Sequence, residues 1–191
     1  MNAVEKVVDL SCHPATRTQT VRAISIVVRR LNNDGLRVTF RLDGDLQRIR
    51  IPSSDAPRFA TDLWRHTCFE VFIAVNGHPA YHEFNFSPSG DWAIYAFSSY
   101  RNGVPVADES KRPNIASSTS GDRLELDAYV RLQSLLTIHS RADFRLGLAA
   151  VIESNDGLSY WALRHPSDHP DFHNAGGFVL RLAPPDDQSQ V

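Results

Sequence analysis

The sequence predicts an all-β protein, an antiparallel sandwich or barrel built as one domain. Three observations carry that prediction. Apolar residues alternate with polar ones, or run unbroken over strand lengths, through most of the chain. Clusters of Gly, Asn, Asp, Ser and Pro separate these segments. The 191 residues, 42% of them hydrophobic, suffice for one full-sized core.

The segments in order are "VRAISIVVRR" (21–30), "LRVTFRL" (36–42), "LQRIRI" (46–51), "FEVFIAV" (69–75), "YHEFNFS" (81–87) and "DWAIYAF" (91–97). After them come "RLELDAYV" (123–130), "FRLGLAAVIE" (144–153), "LSYWALR" (158–164) and "GFVLRL" (177–182). Turn signals lie between: "NNDG" at 32–35, "NG" at 76–77, "SPSG" at 87–90, "RNG" at 101–103 and "SNDG" at 154–157. The only helix candidate, "RLQSLLTIHS" (131–140), is short and rich in β-branched residues, so a single turn or a loop is the expectation. The domain is expected to fill residues 1–183. Residues 184–191, polar and opening on prolines, are expected to form a flexible tail.

Alternation assigns faces. Phe69, Val71 and Ile73 point one way; Glu70 and Phe72 point the other. Glu83 and Asn85 oppose His82, Phe84 and Phe86, and Ala93, Tyr95 and Phe97 oppose Trp92 and Ile94. A sheet face carrying Glu, Asn and aromatics is either a binding face or an ordinary solvated one.

Composition excludes several functions. Twenty Lys and Arg against 22 Asp and Glu leave no basic stripe, so nucleic acid is not an expected partner. No uncharged stretch is long enough to span a bilayer as a helix, so no membrane is expected either. Glu5, Lys6 and Asp9 interrupt the apolar core that a secretory signal would need, and the two cysteines, Cys12 and Cys68, are too few for a disulfide framework. A cytoplasmic protein is the expectation.

The chemically suggestive stretch is "YWALRHPSDHPDFHNAGG" (160–177), with His165, His169 and His173 four residues apart. That spacing aligns side chains only on a helix, and Pro166 and Pro170 forbid one. A structured loop is therefore expected. Its imidazoles either bond backbone groups or meet an organic ligand, with a metal the weakest reading. His66, Cys68 and Glu70 would share a face of an extended chain, yet no paired Cys-x-x-Cys supports a metal there, and nothing local activates Cys68 as a nucleophile. No Walker loop, dinucleotide fingerprint, HExxH or EF-hand pattern is present. No catalytic or metal-binding residue is assigned.

Two blocks, "LWRHTCFEVFIAVNGHPAYHEFNFSPSGDWAIYAFSSYR" (63–101) and "LSYWALRHPSDHPDFHNAGGFVLRL" (158–182), resemble the bacterial DOMON-like proteins, which are related in fold to the family 9 carbohydrate-binding modules. The resemblance implies a β-sandwich that binds a ligand, with sugars and haem the two known classes. By that resemblance Trp64 and Glu70 match a sugar-stacking Trp and a hydroxyl-bonding Glu. Arg101 stands where a sugar-bonding Arg is expected, and Trp161 is the candidate for a second stacking Trp. Asn85, His165, His169 and His173 complete the candidate ligand-binding set. Met1 is the sole methionine, so Met/His haem ligation is unavailable, though haem held by two histidines stays an alternative. The leading expectation is a non-catalytic domain without a cofactor that binds a small polar ligand, a carbohydrate or glycoconjugate. The alternatives are a metal-assisted or acid/base enzyme using loop 165–173 and Glu70, and a structural domain in which Trp64 and Trp161 are core or partner-facing.

Overall fold

Alternation in the sequence becomes layering in the fold. In the strand Arg123–Arg131, Leu124, Leu126, Ala128 and Val130 are buried while the residues between them are half-buried or exposed. The computed structural model describes residues 4–32, 35–133 and 142–184. Its strands are β1 (Val4–Asp9), β2 (Ser11–Cys12), β3 (Val21–Arg30), β4 (Gly35–Gly44), β5 (Cys68–Val75), β6 (Tyr81–Phe86) and β7 (Trp92–Ser99). These are followed by β8 (Asn102–Pro105), β9 (Asn114–Ser120), β10 (Arg123–Arg131), β11 (Phe144–Ser154), β12 (Gly157–Ala162) and β13 (Leu180–Leu182). Four short 3-10 turns are the only other regular elements among the described residues.

The strands form two antiparallel sheets. A five-stranded sheet has the order β1-β3-β4-β10-β9, and an eight-stranded one the order β2-β12-β11-β5-β6-β7-β8. The long β11 gives one edge to β5 and divides the other between β12 and β13. One apolar core lies between the sheets, as in Phe40 of β4 against Phe69 of β5 at 4.9 Å between ring centroids. The architecture is an all-β antiparallel sandwich, as the periodicity and turn signals predict.

The two outer faces differ, and that difference places the site. On the five-stranded sheet, Arg41 pairs with Glu125 directly across the ladder, and Arg123 with Asp43. It is a solvated, charge-paired face, each exposed pair worth little. On the eight-stranded sheet the outer face carries Phe72, Ala74 and Tyr81 in a second apolar cluster with Phe178, covered by the chain that follows β12. Phe178 packs so closely over Gly147 that a Cβ there would meet its ring at 2.5 Å, so the covering loop depends on a glycine at this point.

Several segments differ from expectation. "LQRIRI" (46–51) is a turn with a single bridge, Ile49 to Ser154, because Leu46, Ile49 and Ile51 close the core as a loop rather than join a ladder. In 177–182 only Leu180–Leu182 is strand; a 3-10 turn at Ala175–Gly177, capped by the Asn174 side chain, precedes it. Strands β1, β2, β8 and β9 come from stretches with no clear apolar alternation. Residues 134–140 of the segment 131–140, and 185–191 of the expected tail, lie outside the described residues.

Candidate functional site

Strand register builds the floor of the site. Across the outer face of the eight-stranded sheet, Ala93, Asn85, Glu70, Ala149 and Ala162 stand in one row on five adjacent strands. The next row brings Tyr95, Glu83, Phe72 and Gly147 into line. Glu70 and Glu83 are therefore diagonal neighbours on one face, close enough for their carboxyl groups to interact. Both glutamates line a cavity of about 590 Å³, within the usual range for a small-molecule site.

The cavity walls come from three places. Trp64 and Asp62 enter from the 3-10 turn Leu63–Arg65, which packs against the ends of β5, β6 and β11. Tyr95, Phe97 and Tyr160 stand on the sheet. Pro170, Phe172 and His173 form the rim contributed by the loop, with Arg101 beside them. Trp64 is 43% exposed, whereas Trp92 and Trp161 are buried. Asp62 and Arg101 are the two non-glycine residues with left-handed backbone among those described, at φ 62° and 55°. Holding Arg101 there costs about 1–2 kcal/mol, so its placement at the rim is enforced by its surroundings.

Those surroundings are a dense hydrogen-bond network. Arg101 Nη2 donates to Asp171 Oδ1 at 2.9 Å, and Tyr100 donates its hydroxyl to Asp171 Oδ2 at 2.9 Å. Burial pushes the Asp171 carboxyl up, but the bonds from Tyr100 and Arg101 outweigh it and hold the group below its ordinary range. The Arg101 backbone N–H donates to Tyr81 Oη at 3.2 Å, and Tyr81 Oη lies 2.9 Å from His173 Nδ1. The other ring nitrogen of His173, Nε2, lies 3.7 Å from Glu83 Oε2. His173 is neutral: burial first, then the Arg101 charge, brings it down to about 4, against a smaller opposing pull from Asp171.

The two glutamates dominate the electrostatics. Glu70 is 2% exposed and Glu83 5%. Glu83 Oε1 accepts Asn85 Nδ2 at 2.7 Å, whereas Glu70 Oε1 has no hydrogen-bond partner among the described residues. Burial raises Glu83 to about 7 despite the opposing effects of Asn85 and Arg101. Glu70 is pushed well above its ordinary range by burial and then by the Glu83 charge. The Cys68 thiol beside them is also driven up, mainly by burial, which makes it an inert packing group.

Of the expected residues, Trp64, Glu70, Arg101 and His173 line this one cavity; Asn85 is buried on the same sheet face behind the lining, bonded to Glu83. Trp161 does not. It lies 6% exposed in the core between the sheets, its indole Nε1 donating to Ser159 Oγ at 3.1 Å. The parity of β12 sends Ser159 and Trp161 inward and Tyr160 to the cavity, so Tyr160 takes the place expected of a second tryptophan. His165 bonds through Nε2 to the Ser11 carbonyl at 2.8 Å and packs edge-on against His13, tying the loop to the N-terminal segment. His169 is exposed and outside the cavity lining. His66 leaves the expected line with Cys68 and Glu70 because it turns to Glu153, 2.7 Å away. No group of three metal-ligating side chains converges among the described residues.

A β-sandwich with an aromatic, acid-floored cavity on one outer face is the class these features define. Among solved structures, the chain is similar to a protein of Bacteroides uniformis put forward as carbohydrate-binding, with a TM-score of 0.70, 12% identity, and coverage of 95% of this chain and 86% of that one. It is also similar to a family 9 carbohydrate-binding module from Caldicellulosiruptor kristjanssonii, solved with glucose (TM-score 0.52, 11% identity, 93% and 83% covered) and with cellotriose (TM-score 0.51, 11% identity, 94% and 88% covered). No protein-family description and no curated protein matches the sequence. The likeness is one of fold: this chain shares the β-sandwich architecture of these structures.

Proposed function

We propose that the chain is a non-catalytic binding domain whose cavity takes a saccharide. The observation that carries this reading is the meeting, in one open cavity, of an exposed tryptophan with two buried carboxyl groups, one of which, Glu70, has an oxygen without a hydrogen-bond partner among the described residues. A sugar offers what each lacks. Its C–H face stacks on an aromatic ring, and its hydroxyls donate to carboxylate oxygens. The saccharide complexes of the Caldicellulosiruptor module, on the same fold, support the reading. So does the resemblance to DOMON-like proteins, since the motifs that carry it include Glu70 and Glu83, which line the cavity. The metal-enzyme alternative is weaker, because His165 serves Ser11, His169 stands apart and His173 is engaged with Tyr81.

The test uses the tryptophans. Trp64 is the one of three exposed to solvent, so acrylamide quenching of fluorescence reports chiefly on it. Glucose, cellotriose and glucosamine are titrated by calorimetry and by quenching. The expected result is saturable heat with progressive protection of Trp64. Absence of binding heat for all three, with unchanged quenching at millimolar sugar, would overturn the proposal.

A further inference from the structure

We propose that the saccharide is an amino sugar carrying a protonated amine, held with its ammonium group against Glu70 and Glu83; this rests on the saccharide reading above. The cations near the cavity are already engaged. Arg101 is bonded to Asp171, Arg65 stands 3.9 Å from Asp62, and His173 is neutral. Glu70 and Glu83 line the cavity with no cation bonded to either; the Arg101 charge lowers Glu83, but its guanidinium bonds go to Tyr100 and Asp171. Of the other polar side chains on this face, Cys68, Asn85, Tyr81 and Tyr95 carry no positive charge, and Arg145 lies further along β11, opposite Ala74.

Two buried carboxyls side by side are costly unless paired and hydrogen-bonded. The floor supplies one strong donor, Asn85 Nδ2, and it goes to Glu83. Glu70 Oε1, in a residue 98% buried, has none. A neutral sugar would bring donors but no charge. A quaternary ammonium would bring charge but no N–H, and would leave Glu70 Oε1 unbonded. A primary ammonium brings both, with up to three N–H donors. The aromatic walls suit the same ligand, since Trp64, Tyr95 and Tyr160 favour a cation as well as a C–H face.

Titration of the whole chain near pH 7 with glucosamine, glucose, N-acetylglucosamine and tetramethylammonium separates the possibilities. Glucosamine is expected to bind at least tenfold more tightly than the other three. Its binding should release protons, seen as a dependence of the apparent heat on buffer ionisation enthalpy, because an ammonium drives ionisation of carboxyls that burial holds protonated. Glu70→Gln and Glu83→Gln, checked for fold by circular dichroism, should weaken glucosamine binding far more than glucose binding and so erase the preference. Glucose or N-acetylglucosamine binding as tightly as glucosamine would overturn the inference and leave the saccharide reading standing. Equal binding of tetramethylammonium would overturn it also. Failure of all three sugars to bind would remove both.

Discussion

Replacing Trp64 and Trp161 one at a time separates the cavity from the core. Trp161 is 6% exposed and bonded to Ser159, so Trp161→Ala should cost about 3–5 kcal/mol, the usual range for a core aromatic. In a domain of this size each kcal/mol lowers the melting temperature by roughly 2–4 °C, so the fall should be roughly 6–20 °C. Trp64 is 43% exposed, on a short turn, with Arg65 5.2 Å from its ring centroid. Full burial of a large apolar side chain is worth about 1.5–3 kcal/mol, so Trp64→Ala should cost less than about 2 kcal/mol. Its effect on binding runs the other way. The lost stacking contributes about 0.5–1.5 kcal/mol beyond the area it covers, and the area itself adds to this, so affinity should fall tenfold or more. Thermal melts and calorimetry on the same two proteins read both quantities. A Trp64→Ala protein that melts as low as Trp161→Ala would refute the assignment of Trp64 to an open wall. A Trp161→Ala protein that keeps its melting temperature but loses binding would refute the parity assigned to β12.

Three further outcomes are expected. Burial holds the Glu83 carboxyl at about 7 in the fold against an ordinary 4.5; its contribution to stability is thus fully present below about pH 4.5 and is lost as pH rises through 7. Stability measured by urea melts should therefore fall from pH 5 to pH 8 less steeply in Glu83→Gln than in the parent, and equal slopes would disprove this. Arg101→Ala removes a bond to an Asp171 side chain that is 4% exposed; because Arg101 itself is 53% exposed, the loss should be about 1–3 kcal/mol, below that of a fully buried pair, and a double-mutant cycle with Asp171→Asn should show the coupling. His165→Ala should cost about 0.5–1.5 kcal/mol through the lost bond to Ser11, whereas His169→Ala should stay within about 0.5 kcal/mol, so equal melting temperatures for the two would contradict their different placement.

The outer-face residues were legible wherever strands alternate cleanly. The stretches 69–75 and 81–87 put Glu70, Glu83 and Asn85 on the face that the structure turns to the cavity, although Glu83 is missing from the expected site. Its signal was present, two residues from Asn85 on the same side. Trp161 was misplaced for a physical reason. Around it, "LSYWALR" offers aromatic and aliphatic residues on both parities, and Ser159, the residue sharing its face, is polar yet buried. Only the pairing Ala150 to Trp161 and Val151 to Tyr160 fixes which ring faces in. Strand β9, "NIASSTS", was invisible because it is almost wholly exposed and is held by its ladder to β10 rather than by apolar burial. The Arg101–Asp171 pair joins residues 70 apart in sequence across two loops, and no local spacing encodes that.

The cavity exists because the sheet is uneven, and the unevenness is written in side-chain size. All eight residues of β5 are buried, so this strand is covered on both faces. Over Phe72 and Ala74 the cover is Phe178 and its neighbours, resting in the trough left by Gly147 and Ala149. Over Glu70 the covering loop gives way to Phe172 and His173 at the rim. Tyr95 on β7 and Tyr160 on β12 stand four strand spacings apart, roughly 19 Å at the backbone, so the opening between them runs across the strands as a trough. A charged residue in the middle of a strand buried on both sides would ordinarily be a defect. Here it lies where the cover stops, its carboxyl and that of Glu83 forming the polar floor of an otherwise aromatic trough. On the proposed reading, the features that make this floor costly to the fold are also those that would select among ligands, because one lacking donors cannot relieve Glu70.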